Sequence, residues 1–419
     1  MPPKFVDDRR SAALEVYERE PVPTWRRSGF WTTTLRHLGL DELETRHYDP
    51  VTERPDLPLH DERAALVVQR GASTIYSEVN DDRIVVSSLE DALETHPEIV
   101  ERFWMTRVSA DEGKFPAATA AFWTGGAFVY VPRGVKVDKP VEIVWLIDEP
   151  GVAQYASALC VVEETAECEI RELCLGGDFE GQALHAELFE LFVRPAANVR
   201  LASFQDWGSG EVYDISTKRV EIARDAHCSW VPIHLGGHLT KQTLDIVTSE
   251  RGSDMRHTGL YITEGSEHLD LFTTDLHERG DTTGDTIWKG ALTGESRASY
   301  EGLIHIVKDA QNTDTYLQTH SMLLSPRAKG DAIPSLIVET DNVKASHGGT
   351  VGEVDENQIF YMQTRGIPRR DAVRILVEGY FEEVIQRLHD EKLEELVRDR
   401  IAEKIAAAEE DVREYVEQR

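Results

Sequence analysis

The residue of this chain that is best placed for chemistry is His347, which stands directly before Gly348 and Gly349. Glycines remove side-chain bulk and allow backbone conformations closed to other residues, so the imidazole can stand clear for a ligand or a second chain. A neutral imidazole binds iron, and histidine in place of a thiolate raises the potential of an iron site. His347 is therefore a candidate metal ligand. The alternative is a histidine at a glycine-rich turn without a metal role.

The four cysteines do not form a recognisable metal motif. Cys160, Cys168, Cys174 and Cys228 give no CxxC pair, and they are too few for a disulfide scaffold in a chain of 419 residues. Cys160 and Cys168 alternate with apolar neighbours as strand residues do, and buried cysteine behaves as a small hydrophobic residue. We predict that they are buried and structural.

Five further histidines lie close together in the sequence: His234, His238, His257, His268 and His277. Gly236 and Gly237 argue against a helix between the first two, and in one strand that pair would share a face but stand well apart. We expect surface or core histidines here, with a metal site as the alternative. The motifs GxxxxGK[ST], GxSxG and HExxH are missing, so we expect no ATP bound by this chain.

The charge excludes one class of partner. The 76 acidic residues outnumber the 45 Lys and Arg residues and give a formal charge of −31, which argues against nucleic-acid binding. A strongly acidic surface is typical of a protein from a salt-rich cytoplasm, and an ordinary acidic cytosolic protein is the alternative. We find neither an 18-residue apolar run nor a signal-like start, and therefore predict a cytoplasmic location with no membrane contact.

Three regions hold these residues. In residues 1–115 the spacing of apolar positions predicts helices over 10–20 and 88–106, with Ser87 or Ser88 as the cap of the second, in an α-rich region. The proline-rich stretch 47–63 is predicted to be an irregular connector. In residues 351–419 a helical stripe of apolar residues is formed by Ile375, Leu376, Tyr380, Val384, Ile385 and Leu388. This stripe presents a docking surface or packs on its own domain.

Residues 116–350 are patterned as many short strands, including 128–132, 141–147, 187–193 and 200–207. The segments EETA (163–166), VRPA (193–196) and ARDA (223–226) each end in alanine at steps of 30 residues. VKDA (307–310) and SPRA (325–328) follow at less regular intervals. A small residue at a recurring corner favours a β-helix-like stack of coils, and a β-sandwich is the alternative. A stack leaves strand edges open at its ends, which is a physical reason to expect a dimer or a heteromer.

Several segments carry a family resemblance, and they occur in the family's order. They are GAFVYVPRGVKVDKPVEI (126–143), SFQDW (203–207), STKRVEI (216–222), SYEGLIHI (299–306), HSMLLSPRAKGDAIPSLIV (320–338), SHGGTVG (346–352) and QIFYMQTRGI (358–367). Together they resemble the SufB/SufD family of iron-sulfur cluster assembly proteins, over about residues 126–390. The resemblance is closer to the SufD branch.

The resemblance is closer to the SufD branch because this chain differs from SufB-type proteins at several positions. Proteins of that type carry a cysteine where this chain has Ile222, and a glutamate after the histidine where this chain has Gly348. Another SufB-type cysteine has no counterpart between Ser335 and Ser346. Some SufD proteins have a cysteine two residues before the histidine, where Ala345 stands here.

The resemblance implies a right-handed parallel β-helix between two helical regions, and a scaffold subunit rather than a catalyst. It implies a heterodimer with a SufB-like subunit, a C-terminal domain that docks a SufC-like ATPase, and a transient iron-sulfur cluster passed to recipient apo-proteins. His347 matches a histidine thought to help hold the nascent cluster at the SufB interface. The residues expected to bind partners are Phe360, Tyr361, Arg365, Gly366, Tyr380 and Phe381.

The sequence also allows three alternatives to a SufD-like scaffold subunit in a heterodimer. One is a SufB-type main scaffold subunit, and another is a homodimer. A third is a β-helix enzyme acting on polysaccharide, which would need carboxylates on one exposed face. Its candidates are Asp270, Asp275, Asp281 and Asp285.

Overall fold

Two sheets face each other along a parallel β-solenoid of about eight turns. The computed structural model describes residues 3–27, 31–59 and 62–407. Each turn adds one strand to a sheet of nine strands and one to a sheet of ten, so strands two apart in sequence are hydrogen-bonded neighbours. The predicted β-helix core flanked by helices is confirmed. The β-sandwich alternative is wrong, because successive coils pair in parallel.

The N-terminal region combines helices with short strands. Its elements before the solenoid strands are α1 (Lys4–Arg19) and the antiparallel pair β1 (Thr24–Arg27) and β2 (Trp31–Thr34). The strands that follow are β3 (Ala65–Arg70), β4 (Ser73–Val79) and β5 (Val85–Ser87), and the helices after them are α2 (Leu89–Thr95), α3 (Pro97–Phe103) and α4 (Lys114–Phe122). Because β3, β4 and β5 join the two sheets, the first 115 residues are less purely helical than predicted.

The predicted helix over 88–106 is divided into α2 and α3, since Pro97 cannot continue a helix and starts the next one. Ser88 is the cap, and its side chain accepts a hydrogen bond from the backbone N–H of Asp91. The connector is irregular in its described part, and residues 60–61 of it lie outside the described residues.

The remaining strands alternate between the sheets in chain order. The nine-stranded sheet continues with β6 (Ala127–Val131), β8 (Ala153–Val162), β10 (Gln182–Val193), β12 (Glu211–Ile222), β14 (Leu239–Thr248), β16 (His268–His277), β18 (Arg297–Ile306) and β20 (Lys329–Val338). The ten-stranded sheet continues with β7 (Val141–Ile147), β9 (Glu167–Gly176), β11 (Asn198–Asp206), β13 (His227–His234), β15 (Asp254–Thr263), β17 (Thr283–Leu292), β19 (Asp314–Leu323) and β21 (Lys344–Glu353).

Alternation along each strand builds the core between the sheets. Ile170, Leu201 and Trp230 are register partners on successive coils, and all three are buried in the same interior cluster. Stacking like positions in this way excludes water from every coil except the last one, whose inner side has no further coil above it.

The corners explain the alanine repeat and correct its register. Thr165, Ala196 and Asp225 take left-handed conformations, with φ of 62°, 56° and 56°. The next residue at each corner is buried and donates its N–H to the carbonyl three residues earlier, which makes Ala166, Ala197 and Ala226 equivalent. The regular 30-residue step that included Ala196 is therefore wrong by one residue. SPRA lies at the opposite edge, between β19 and β20, and this is why its interval was irregular.

The C-terminal helices are α5 (Glu356–Thr364), α6 (Arg369–Ile385) and α7 (Glu391–Ala407). The end of the predicted helical tail, 408–419, lies outside the described residues. Val377 and Phe381 of α6 are fully buried and belong to one cluster with Leu260 of the ten-stranded sheet, whereas Ile375 is 39% exposed. The other residues of the predicted stripe belong to this cluster or pack against it, so the stripe is confirmed except at Ile375, and α6 packs on the chain's own ten-stranded sheet. None of the helices in the described ranges has the length and apolarity that a membrane crossing requires.

The corner assignment predicts opposite effects of the same substitution. Ala196→Gly is expected to raise the free energy of unfolding by up to about 1 kcal/mol, because glycine takes the left-handed conformation without a Cβ clash. Ala166→Gly is the matched control and is expected to lower it by about 1 kcal/mol, since a buried methyl is lost and no strain is relieved. Urea denaturation of both variants measures this, and effects of the same sign would contradict the assignment.

Candidate functional site at the open end of the solenoid

The solenoid ends in an open coil made of β20 and β21. Each is the last strand of its sheet within the described part of the chain, and neither contains a buried residue. Ile337, Val338 and Val351 are 46%, 43% and 40% exposed. Unpaired backbone groups and apolar side chains at a sheet edge favour pairing with another chain.

His347 occupies the core-facing side of this last coil. It is the register partner of Leu317 on β19, which is fully buried in the interior cluster. In-register residues of parallel strands point to the same face, so His347 would be interior if the stack continued. Instead it is exposed, and it has no hydrogen bond or ion pair with the described residues. His347 lies where the β-coils give way to helices, since α5 begins nine residues later at Glu356.

The two glycines after His347 do not act as predicted through unusual backbone conformations. Both lie within β21, and neither has a positive φ. A Cβ atom on Gly349 would lie 3.3 Å from Pro334 of β20 and 3.3 Å from Thr319 of β19. The lack of a side chain at Gly349 therefore allows the two sheets to approach each other beside His347.

A second exposed feature, the α5 patch, consists of Phe360, Tyr361 and Arg365. The two aromatic side chains are 68% and 60% exposed. The Arg365 guanidinium lies 5.3 Å from the Tyr361 ring centre and donates a 3.1 Å hydrogen bond to its hydroxyl. Gly366 ends this segment with a φ of 85°, a conformation that favours glycine. The patch has the aromatic and arginine composition that is enriched at protein interfaces.

The two α6 residues predicted to bind partners lie elsewhere. Phe381 is fully buried against the ten-stranded sheet, so it is not available to a partner in this structure, and we correct that prediction. Tyr380 is partly buried, and its hydroxyl donates a 2.6 Å hydrogen bond to the backbone carbonyl of His320 on β19. The tyrosine therefore connects α6 to the sheet that ends at β21.

All four cysteines are free and buried, as predicted. Burial raises the pKa of the Cys168 thiol to about 12, and it raises the pKa of Cys160 and Cys174 well above the ordinary value. A thiolate, not a thiol, binds metal, so none of the four is prepared as an exposed ligand at the open end. Ile222, which stands where the resemblance implies a cysteine in SufB-type proteins, is buried as well.

The other five histidines are not gathered in one site, although the rings of His234 and His257 both pack on Trp288. His234 ends β13 and points into the interior, whereas His238 lies in the following loop with its ring 5.1 Å from that of Tyr213. His257 is stacked on Trp230 at 5.0 Å, and burial lowers its pKa to about 3. These are core histidines in the main, and the alternative of a metal site built from them is not supported.

The carboxylates needed by a polysaccharide enzyme are scattered. Asp270 and Asp275 are fully buried, and burial raises the pKa of Asp275 to about 7. Asp281 lies at an exposed corner bound by Asn312 and Arg251, and Asp285 is paired with Arg387. No exposed face of the described residues brings these four together, so that alternative loses its site.

One set of potential ligands was missed by the sequence reasoning. Cys174, His185 and Glu187 are buried and have ligand atoms within 4.8 Å of one another. The available signal was the His-x-Glu spacing on a strand, which puts two side chains on one face. Their meeting with Cys174 required the facing sheet.

The chain is similar along most of its length to known iron-sulfur cluster assembly proteins. Over 418 aligned residues the chain is 24% identical to the iron-sulfur cluster assembly protein SufB of Bacillus subtilis, covering 94% of this chain and 88% of that protein. It is 25% identical to an iron-sulfur cluster assembly SufBD family protein of Staphylococcus epidermidis, with the same coverage. The family description "SufBD protein N-terminal region" matches residues 54–143, and "SUF system FeS cluster assembly, SufBD core domain" matches residues 145–380. The chain, with its solenoid and open terminal coil, therefore belongs to the SufB/SufD family of SUF-system iron-sulfur cluster assembly proteins.

Proposed function

We propose that this chain is a SufD-like scaffold subunit, without catalytic activity of its own, that pairs with a SufB-like subunit and a SufC-like ATPase. Together they build iron-sulfur clusters and pass them to recipient apo-proteins in the cytoplasm. The observation that carries this proposal is the open last coil, with an exposed imidazole on its core-facing side. A cluster held there is cargo and not a resident cofactor.

The open last coil favours binding of a partner chain that has a complementary sheet edge. Backbone groups along β20 and β21 are left for a second chain, and exposed Ile337, Val338 and Val351 supply apolar area for the contact. A partner seated there would cover His347 and remove water from it. Because this chain offers no exposed thiol, the remaining cluster ligands come from the partner in this proposal.

The SufD-like assignment is supported by the absence of a cysteine at position 222 and of a glutamate at position 348. Ile222 is a buried core residue, and Gly348 leaves no carboxylate beside His347. A chain that supplies one imidazole and no thiolate suits the supporting half of a shared site. The SufB-type alternative requires cluster assembly by this chain alone.

The α5 patch is the proposed docking surface for the ATPase, and α6 connects it to the cluster site. Lys289 of β17 donates a 2.9 Å hydrogen bond to the Tyr380 carbonyl and lies 2.7 Å from Glu383. The Tyr380 hydroxyl binds the His320 carbonyl, and the His320 ring lies 2.7 Å from the Thr350 hydroxyl on β21. A movement of α6 driven by ATP would reach the strand of His347 through these contacts. ATP can drive this movement only if the ATPase binds more tightly to one of the two arrangements of α6 and β21 than to the other.

Anaerobic co-purification with candidate SufB-like and SufC-like proteins, with iron and sulfide analysis, tests the function. Association with cluster only in the complex supports the proposal. Cluster assembly by this chain alone would favour the SufB-type alternative, and absence of association would reject the scaffold role.

His347→Ala is expected to leave folding intact, with a change in unfolding free energy within about 0.5 kcal/mol, because the side chain is exposed and makes no bond. Cluster retention by the complex is expected to weaken about tenfold or more, since a ligand is lost. Iron and sulfide per complex are measured after gel filtration. His37→Ala, which removes another exposed histidine, is the control, and equal cluster content in the two variants would exclude His347 as a ligand.

Tyr361→Ala is expected to weaken ATPase binding by about 1–2 kcal/mol, or roughly tenfold, as for an exposed aromatic anchor. Titration calorimetry measures the affinity. Val51→Ala, at an apolar residue that is 44% exposed away from the patch, is the control. Unchanged affinity for Tyr361→Ala together with Phe360→Ala would place the docking surface elsewhere.

Tyr380→Phe is expected to retain ATPase binding but to reduce the ATP-dependent change at the partner interface, because only the hydroxyl contact with β19 is lost. Crosslinking from a cysteine introduced at Val351 reports that change, and the four native cysteines are buried. An ATP response equal to that of the native tyrosine would show that this contact does not transmit the movement.

A further inference from the structure

The interior of the solenoid contains a polar cluster that the proposed function does not use. Cys174 projects from β9 of the ten-stranded sheet, and His185 and Glu187 project from β10 of the facing sheet. All three are buried, and their potential ligand atoms lie within 4.8 Å of one another. Six coil steps separate this cluster from β21, which is roughly 30 Å at the usual strand spacing.

Hydrogen bonding fixes which nitrogen of His185 carries its lone pair. Gln154 donates its amide N–H groups to the carbonyls of Gly71 and Leu146, so its Oε1 is left as an acceptor, 2.8 Å from His185 Nδ1. Nδ1 is therefore the protonated nitrogen and Nε2 is unprotonated. A second partner that holds the ring in this way is the usual arrangement behind a metal-binding histidine.

The Nε2 lone pair faces a carboxylate and not a donor. Glu187 Oε2 lies 3.4 Å from His185 Nε2, and Nε2 has no proton to donate because the ring proton is on Nδ1, against Gln154 Oε1. Glu187 Oε1 is buried and has no hydrogen-bond partner. The His185 Nε2 lone pair and Glu187 Oε1 are therefore both without a proton donor, which a bound cation would satisfy.

The surrounding charges favour a divalent ion. Lys218 is the cation beside the cluster, with its Nζ 2.6 Å from Glu172 Oε2 and 2.9 Å from Glu187 Oε2. One ammonium thus serves two buried carboxylates. Asp214 is satisfied separately by neutral donors, from Trp207 at 3.0 Å and Gln242 at 2.9 Å. The group of Glu172, Glu187 and Lys218 therefore carries one uncompensated negative charge when both carboxylates are ionised.

We infer that Cys174, His185 and Glu187 form a binding site for one borderline divalent metal ion, of the zinc class, inside the solenoid. Thiolate, imidazole and carboxylate are the donors that zinc takes in proteins, and three protein ligands leave one tetrahedral position for a water or the second Glu187 oxygen. The ion adds two positive charges, and Cys174 loses its thiol proton to the solvent. The net gain of one charge balances the negative charge left over in the group of Glu172, Glu187 and Lys218, and Lys218 remains paired with Glu172.

This site is separate from His347 and its cargo, and it acts on the stability of the chain. A metal bound only in the folded state stabilises that state. Binding releases the Cys174 thiol proton, so zinc affinity is expected to fall as the pH falls.

The test uses the full chain, unfolded and refolded with zinc or with cobalt and then dialysed against a weak chelator. About one zinc per chain is expected by elemental analysis, and cobalt is expected to show a thiolate charge-transfer band. Cys174→Ala and His185→Gln are expected to reduce retained metal to about a tenth or less, and Cys174→Ala to abolish the band. Cys228→Ala and His257→Gln, which alter other buried residues of the same interior, are expected to retain the wild-type amount.

The wild-type measurement decides the matter even where a variant does not fold. A refolded wild-type chain without retained metal, or with cobalt bound but no thiolate band, would overturn the inference. So would equal metal in the wild type and in Glu187→Gln, a nearly isosteric variant that keeps the packing and removes the anionic ligand. Loss of metal from Cys228→Ala as large as from Cys174→Ala would also overturn it, since the effect would then come from general damage to the core.

Discussion

The parallel hydrogen-bond ladder between successive coils is the constraint on which the rest of this structure depends. Each coil satisfies the backbone groups of the one before it, and in-register stacking places like positions above one another, as Ile170, Leu201 and Trp230 show. The ladder cannot close on itself, so it must end. At β20 and β21 it ends without a covering element among the described residues, and this produces both the exposed edge and the exposed His347.

The same stacking creates an interior that accepts polar groups only where partners face each other across it. Near β9 and β10 the two sheets bring carboxylates, an ammonium, an imidazole and a thiol together, where Gln154 accepts a hydrogen bond from the imidazole and Trp145 donates one to Glu172. Further along, Trp230 and His257 stack as flat rings on adjacent coils. A solenoid interior is thus less uniform than a globular core, because each coil contributes only a few side chains, and these must match the coils on either side.

The helices use the outer faces of the solenoid and leave its end free. The N-terminal helices share clusters with outward residues of the nine-stranded sheet, such as Phe128 and Phe192, and α6 and α7 cover outward residues of the ten-stranded sheet. Buried Arg171 joins these layers by pairing with Glu142 in the sheet and with Asp390 at the start of α7. Because α6 is attached to the sheet that carries His347, a protein bound at α5 and a partner at the open coil would act on one connected body.

By itself, the sequence determined the strand-rich solenoid with helices on either side of it, and the burial of the cysteines. These follow from local properties: alternation of apolar residues, small residues at corners, and the absence of proline from the helical tail. The family was also readable from the order of motifs. Residues 1–115 were harder, because β3 and β5 pair with strands that come later in the chain, and β4 in turn pairs with β3.

What the tertiary structure alone decided is which residues meet and which stay uncovered. Ala196 and Ala197 are adjacent alanines, and only the corner geometry distinguishes the strained residue from the buried one. Phe381 and Phe360 have the same side chain, but α6 turns the first into the core while α5 leaves the second in solvent. Cys174 meets His185 and Glu187 because two sheets face each other, whereas His347 is exposed because the stack ends there. Contacts between coils depend on register and facing, which are long-range properties that local residue patterns do not contain.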